Sequence, residues 1–268
     1  MISILIRNKN EAKLLEKTLL GIKNQKADVP FEVVVIDDNS SDNSVEVAEK
    51  FGCKVVALEK KFSYGYAINF GVNHCKYDIV LLLSSHNILL SNDFFDKLNL
   101  YFKDANLAGV RCTPVANIKQ VEQSLEAPIL LNATTYIHKE NWGDLLIANC
   151  SAIRKSVAQK IIFDETIRSN EEKLWSLDVF KEGYSILSNV PCYYIYNKKN
   201  NEKAVLRDII SKYQIDGIVP LSTSKFVLNM IKSIPWAIKI GCKAWMNSVS
   251  FNFKLLKIKT NHTKGKYN

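Results

Sequence analysis

Apolar runs that stop at polar clusters recur along the first hundred residues. Ile2-Ser3-Ile4-Leu5-Ile6 stops at Arg7-Asn8-Lys9-Asn10-Glu11, and Val33-Val34-Val35-Ile36 stops at Asp37-Asp38-Asn39-Ser40-Ser41-Asp42. Between them Leu15, Leu19 and Ile22 recur at helical spacing, which predicts a helix over about residues 10–24. A second helix is predicted over about 43–51, with Asp42 as N-cap and Gly52 as its end, followed by a strand at Lys54-Val55-Val56-Ala57. A helix over 64–75 leads into Ile79-Val80-Leu81-Leu82-Leu83, an unbroken apolar run that reads as a fully buried central strand. Ser91 caps a helix over about 92–103, and a strand follows at 108–111. Residues 113–145 resist assignment and are long for a plain loop, a length that points to a functional segment. Helices near 154–160 and 170–182 then precede two strand-like pieces, 184–187 and 192–196.

Strands alternating with crossover helices imply an α/β fold built on a mainly parallel sheet with right-handed connections. Ligands of such sheets bind outside the carboxyl ends of the strands. Both polar clusters are therefore expected to line one crevice.

Charge adds a second boundary. The 268 residues, 47% hydrophobic, can bury one large core, but the formal net charge of +9 is unevenly spread. No acidic residue follows Asp216, while nine lysines run from Lys225 to Lys266, so residues 1–216 are formally neutral. This predicts a domain over 1–216 and a basic helical extension over 217–268. Lys225, Lys232, Lys239 and Lys243 fall on one helical stripe, with Trp236, Trp245 and many aliphatic residues between and beside them. That pattern over 225–259 suits an in-plane helix on an anionic membrane surface, or a helix packed on the domain with its lysines in water. Nucleic acid is not expected as a partner, since the stretch lacks both arginine and a recognised motif. The apolar start is too short for a secretory signal, and no run reaches the roughly 18 apolar residues of a spanning helix. Six singly placed cysteines, without a CxxC pair, read as free thiols of a reducing cytoplasm.

Five segments, in order, carry a resemblance: ISILIRNKNEAKLLEKTL, FEVVVIDDNSSDNSVEVAEKF, FSYGYAINFGVNHCKYDIVLLLSSHN, NCSAIRKSV and FDETIRSNEEKLWSLDVFKEGY. From Ile2 to about Asn197 the chain resembles the family-2 glycosyltransferases of the GT-A fold. The resemblance implies a nucleotide-sugar donor held by Arg7, Asn8, Asn10 and Glu11 after the first strand. Asp38 at the end of the second strand would accept a hydrogen bond from the base, with Asp37 as the alternative, and Arg7 offers a fork to phosphate. Lys61, Asn69, Ser84, Ser85 and His86 complete the expected donor side.

The chain departs from the family pattern at the metal motif. Asp-x-Asp, which holds Mg²⁺ or Mn²⁺ against the diphosphate, is replaced by Ser84-Ser85-His86. His86 remains a ligand through one imidazole nitrogen, or a direct contact to the diphosphate. Asn197 stands where family members often place a late metal-binding His. The expected cofactor is a divalent cation, Mn or Mg, weakly bound or dispensable. Inverting transfer needs a carboxylate base beside the acceptor hydroxyl. The family's Glu-Asp pair corresponds to Glu171-Glu172, with Glu172 in the position of the base and Glu171 as second candidate. Acids in a helix's first turn also arise simply because they favour the macrodipole. Arg111, Asn149 and Trp175 fall on the expected acceptor side, Trp175 as a wall for the acceptor sugar.

Together these readings imply an inverting glycosyltransferase acting on a hydroxyl of a glycan or lipid-linked saccharide in surface polysaccharide or lipopolysaccharide synthesis. Its expected place is the cytoplasm, at the inner face of the cytoplasmic membrane. The alternative is a catalytically silent homologue serving as a binding or scaffold subunit, as the Ser-x-His motif suggests. A sugar nucleotidyltransferase would want a glycine-rich phosphate loop after the first strand, and residues 7–11 contain no glycine.

Overall fold

The strands at Ile2–Asn8 and Ile79–Ser84 are buried along almost their whole length, which needs helices on both faces of a sheet. A computed structural model describes residues 1–123, 127–167 and 169–197, and Met1–Lys198 forms one compact unit. The boundary at 216, the basic extension, its proposed membrane face and Cys242 lie outside the described residues.

In chain order the elements are β1 (Ile2–Asn8), α1 (Ala12–Lys23), β2 (Phe31–Asp37), α2 (Ser44–Lys50), β3 (Lys54–Ala57) and α3 (Tyr64–His74). Then come β4 (Ile79–Ser84), β5 (Asn87–Leu89), α4 (Phe94–Tyr101), β6 (Leu107–Pro114), α5 (Ile118–Gln123), β7 (Ile129–Leu131) and α6 (His138–Asn141). The last are β8 (Cys150–Arg154), α7 (Lys155–Lys160), α8 (Glu171–Lys181) and β9 (Ser185–Tyr196).

The strands form one sheet in the order β3-β2-β1-β4-β8-β6-β9-β5, with β7 added on β9. β1, β2, β3, β4, β6 and β9 run one way, and β5, β7 and β8 run against them. The expected mainly parallel sheet is present, with an antiparallel insertion at β8. β4 is central and wholly buried, as its apolar run requires.

Alternation divides β1 between two layers. Ile2, Ile4 and Ile6 share a cluster with Leu15, Leu19 and Ile22 of α1, Val47 and Ala48 of α2, and Phe94, Phe95 and Leu98 of α4. Leu5 points the other way, towards α3, where a Cβ added at Gly71 would lie 2.6 Å from it. α3 thus approaches the sheet so closely there that a larger residue would make the Leu5 side chain shift.

β9 is one strand where two were expected. Asn189 takes a left-handed φ of 55° just before Pro191, and the register against β6 shifts between Val110 and Cys112 and again between Cys112 and Thr113. An extra residue absorbed in this way is a bulge, and it lets the strand continue through a proline. The unassigned stretch 113–145 supplies α5, β7 and α6, and β7 pairs with β9.

Candidate active site

Register sets the crevice. Arg7 stands beside Ile36 on one side and Ser84 on the other, and Asn8 stands beside Asp37. The carboxyl ends of β2, β1 and β4 therefore meet in that order, and both polar clusters face one edge.

The Asp37 carboxylate is buried and committed. It accepts from the Asn8 amide at 3.1 Å, the Ser40 N–H at 2.7 Å and the Ser40 hydroxyl at 2.6 Å. Its work is to close the turn, as Asp side chains commonly do. Asp38 differs: among the described residues its carboxylate, 15% exposed, pairs with the exposed Lys9 at 2.7 Å. A pair of that kind adds little to stability and opens readily. Asn10 takes φ 52°, which is why α1 begins two residues later than periodicity suggests, and its side-chain oxygen accepts from Ser41 N–H at 2.6 Å. Asp42 serves two helices, accepting from Ala12 N–H at 3.0 Å and Ser44 N–H at 3.1 Å. The Ser44 hydroxyl is the main reason its carboxyl titrates below the usual range. The loops after β1 and β2 are thus laced into one rigid rim.

The end of β4 is tied to α1. A single oxygen of Glu11 accepts from Ser85 Oγ at 2.6 Å and pairs with His86 Nδ1 at 2.8 Å. Thr18 of α1 donates to the Ser85 carbonyl at 3.0 Å. Asn197 donates its backbone N–H to the His86 carbonyl at 3.0 Å, and Tyr196 sets its ring edge-on to the imidazole. Ser84 is buried, its N–H bound to the Asn149 carbonyl at 2.9 Å, and the same carbonyl accepts from Asn87. Asn149 acts here through its backbone.

A divalent cation of the Mg²⁺ or Mn²⁺ kind wants about six hard oxygen ligands, carboxylates among them. Among the described residues no group of three His, Cys, Asp or Glu could hold one. Glu11 and His86 are bonded to each other, so this donor set does not fit a resident cation, and no chemical step below is routed through one.

α8 brings the acids. Asn170, in the left-handed region at φ 66° and buried, turns the chain into the helix, and its side-chain nitrogen has no hydrogen-bond partner. Glu171 follows at 3% exposure, while Glu172 is half-buried. Burial, then the charge of Glu172, push the Glu171 carboxyl well above the usual range, against the pull of Arg7. Burial also raises Glu172, with Arg7 and Lys173 holding it back. Arg7 reaches from β1 to this turn, 4.0 Å from Glu171, and donates to the Ala148 carbonyl at 2.8 Å.

Three expected positions have other tasks. Trp175 is 1% exposed, stacked on Phe163 at 5.0 Å, with its indole N–H on the Ile161 carbonyl; it is core and forms no wall for an acceptor. Asn69 donates to the Phe163 carbonyl at 2.8 Å and accepts from its N–H at 2.9 Å, so its amide holds a loop instead of a donor. Arg111 binds the Gly143 carbonyl and lies 3.8 Å from Asp144, bracing residues 143–144. Lys61 is exposed just ahead of α3, which Ser63 caps by accepting from Tyr66 N–H. Sequence reading missed Gly65, which packs against the Asp164 carbonyl, and Asn170. Both carried a signal, a glycine in a helix's first turn and an Asn before an acidic helix start.

The described residues contain no helix long and apolar enough to cross a membrane. The model of the family "Glycosyl transferase family 2" matches residues 3–162, and the chain belongs to that family. Chondroitin synthase of Pasteurella multocida is 37% identical over 87 residues, 31% of this chain and only 9% of that protein. A Methanococcus voltae dolichyl N-acetyl-alpha-D-glucosaminyl phosphate 3-beta-D-2,3-diacetamido-2,3-dideoxy-beta-D-glucuronosyltransferase is 22% identical over 242 residues, 81% of this chain and 73% of that protein. The mannosyltransferase PcManGT of Pyrobaculum calidifontis, solved with GDP-Man and Mn²⁺, shares the fold at TM-score 0.66 and 14% identity, covering 97% of this chain and 86% of that one.

Proposed function

We propose that this family-2 glycosyltransferase moves a sugar from a nucleotide-sugar to a hydroxyl with inversion, using Glu172 as general base. The observation that carries this reading is the half-buried Glu172, set beside the buried, Arg7-tethered Glu171 at the edge of the crevice. Asp38 would receive the base, with the rim of Asn8, Asn10 and Ser40 supporting the ribose side. His86, held by Glu11, would face the diphosphate. In the reaction the acceptor oxygen bonds to the anomeric carbon as its proton passes to Glu172. The bond from that carbon to phosphate breaks, and a nucleoside diphosphate leaves. A carboxyl raised towards neutrality is a better proton acceptor than one left at its ordinary value.

A lipid-linked saccharide is the acceptor this reading favours, supported by the dolichyl phosphate substrate in the name of the Methanococcus voltae relative. The lysine-rich segment 225–259 would bring the site to an anionic membrane surface at the inner face of the cytoplasmic membrane. The test is a panel of UDP-, GDP- and dTDP-sugars with polyprenyl-linked acceptors, the anomeric configuration of the product being read by NMR. Glu172→Gln is expected to lower turnover at least ~100-fold while nucleotide binding persists. Undiminished turnover would move the base elsewhere, and a product of retained configuration would end the mechanism.

A further inference from the structure

Resting on the reading of Glu172 as base, we infer that Arg7 is a positioning residue for the acid pair of α8, and not a ligand of the donor phosphate. Its guanidinium is fixed from three sides. One terminal nitrogen donates to the Ala148 carbonyl at 2.8 Å, the plane sits 5.5 Å from the centre of the Tyr64 ring, and the other terminal nitrogen lies 4.0 Å from Glu171. The side chain is 10% exposed, and the nitrogen facing Glu171 is buried without a hydrogen bond. Gripping a phosphate with two parallel hydrogen bonds needs both terminal nitrogens of the fork. This one turns its fork inward, towards a buried carboxyl.

The consequence is electrostatic as well as geometric. Two carboxyls in adjacent helical positions, one of them buried, cannot both ionise cheaply without a neighbouring cation. The charged groups that act on this pair are Arg7 from β1 and Lys173 from α8 itself; the Lys173 ammonium also donates to the Trp142 carbonyl. Arg7 favours the ionised state of both acids. Removing it raises their titration, so the base is protonated over a wider range and the acid limb of activity moves to higher pH. Lys in place of Arg keeps the charge but loses the planar fork, which serves Ala148 and Glu171 together.

Two measurements decide the matter on the full chain. Carbon-13 NMR titration of the glutamate carboxyls compares wild type, Arg7→Met and Arg7→Lys, and kinetics with the best donor of the panel give kcat, KM and the pH profile. The expected result for Arg7→Met is a kcat lowered about 10- to 100-fold, a donor KM within about threefold, and glutamate resonances that titrate at higher pH. Arg7→Lys restores the titration in part. Donor affinity lost tenfold or more, with the glutamate titration unmoved, would overturn the inference and return Arg7 to the phosphate. Should Arg7→Met not fold, Arg7→Lys and Tyr64→Leu carry the same comparison, since each loosens the guanidinium seat without deleting β1. Full activity in Glu172→Gln defeats the general-base reading instead, whatever Arg7 does.

Discussion

Gly65→Ala tests how the acid-bearing helix is held. Gly65 lies in the first turn of α3, and a Cβ there would point straight at the carbonyl oxygen of Asp164, 2.8 Å from its carbon and 3.1 Å from Glu165 Cα. These are backbone atoms and cannot swing aside. Non-bonded carbons settle near 3.5–4.0 Å, so the loop must retreat by roughly 1 Å. Asn69 clamps the loop on one side through both backbone groups of Phe163, whose ring is stacked on Trp175. Overpacking of this kind costs about 1–3 kcal/mol, offset by at most about 1 kcal/mol from alanine's helix preference. Gly71→Ala is the matched control, because its Cβ would meet the Leu5 and Ile36 side chains and leave the loop alone. Both variants should lower the urea midpoint. Only Gly65→Ala should also cut turnover, by up to ~100-fold, since a shift of 1 Å in a catalytic group costs that much. UDP or GDP binding should stay within about twofold in both. Equal loss of turnover in the two variants, or a Gly65→Ala protein indistinguishable from wild type, would refute the view that α3 sets the position of α8.

Three further expectations follow from the crevice. Asp37→Ala should lower stability by about 1–3 kcal/mol, because it removes the acceptor of the Ser40 N–H and hydroxyl, while Asp38→Ala should leave stability unchanged and weaken nucleotide binding; calorimetry of both separates the roles. Replacing Mn²⁺ by EDTA should change nucleoside-diphosphate affinity less than about threefold, and Glu11→Ala should weaken it more than cation removal does; strict cation dependence in titration calorimetry would contradict the poor fit of the Glu11–His86 donor set. Deleting residues 225–268 should release the protein from anionic liposomes without loss of donor binding, and equal sedimentation of the two forms would remove the membrane role from that segment.

Much of this site was legible in the chain because the donor side is built locally. Each strand's apolar run and the polar cluster after it are contiguous in sequence, so β1, β2, β4 and the placement of Arg7, Asp37 and Asp38 follow from periodicity and the strand-end rule, while Ser84 and His86 were singled out by the family resemblance. What sequence left open depends on distant partners. Nothing in Asp37-Asp38 says which carboxylate the Ser40 turn will consume. Trp175 has the same aromatic character in a sugar-facing wall as under a loop, and only its stacking on Phe163 separates the two. β8 was not expected as a strand at all, and its reversed direction is invisible to a pattern with period two, which reads the same from either end. β9 looked like two strands because Asn189 and Pro191 break local preference, and the bulge against β6 repairs what propensity alone cannot.

The antiparallel seam between β4 and β8 divides the genetic text of this enzyme. On one side lie the polar ends of β1, β2 and β4, written before residue 87; on the other lie β8 and β6, and the acids of α8 come later still, from residue 171 on. Under the proposed function, substitutions in the later stretch would retune which hydroxyl is glycosylated without rewriting the donor-side strand ends. On that reading, specificity for the two substrates would drift on separate evolutionary clocks.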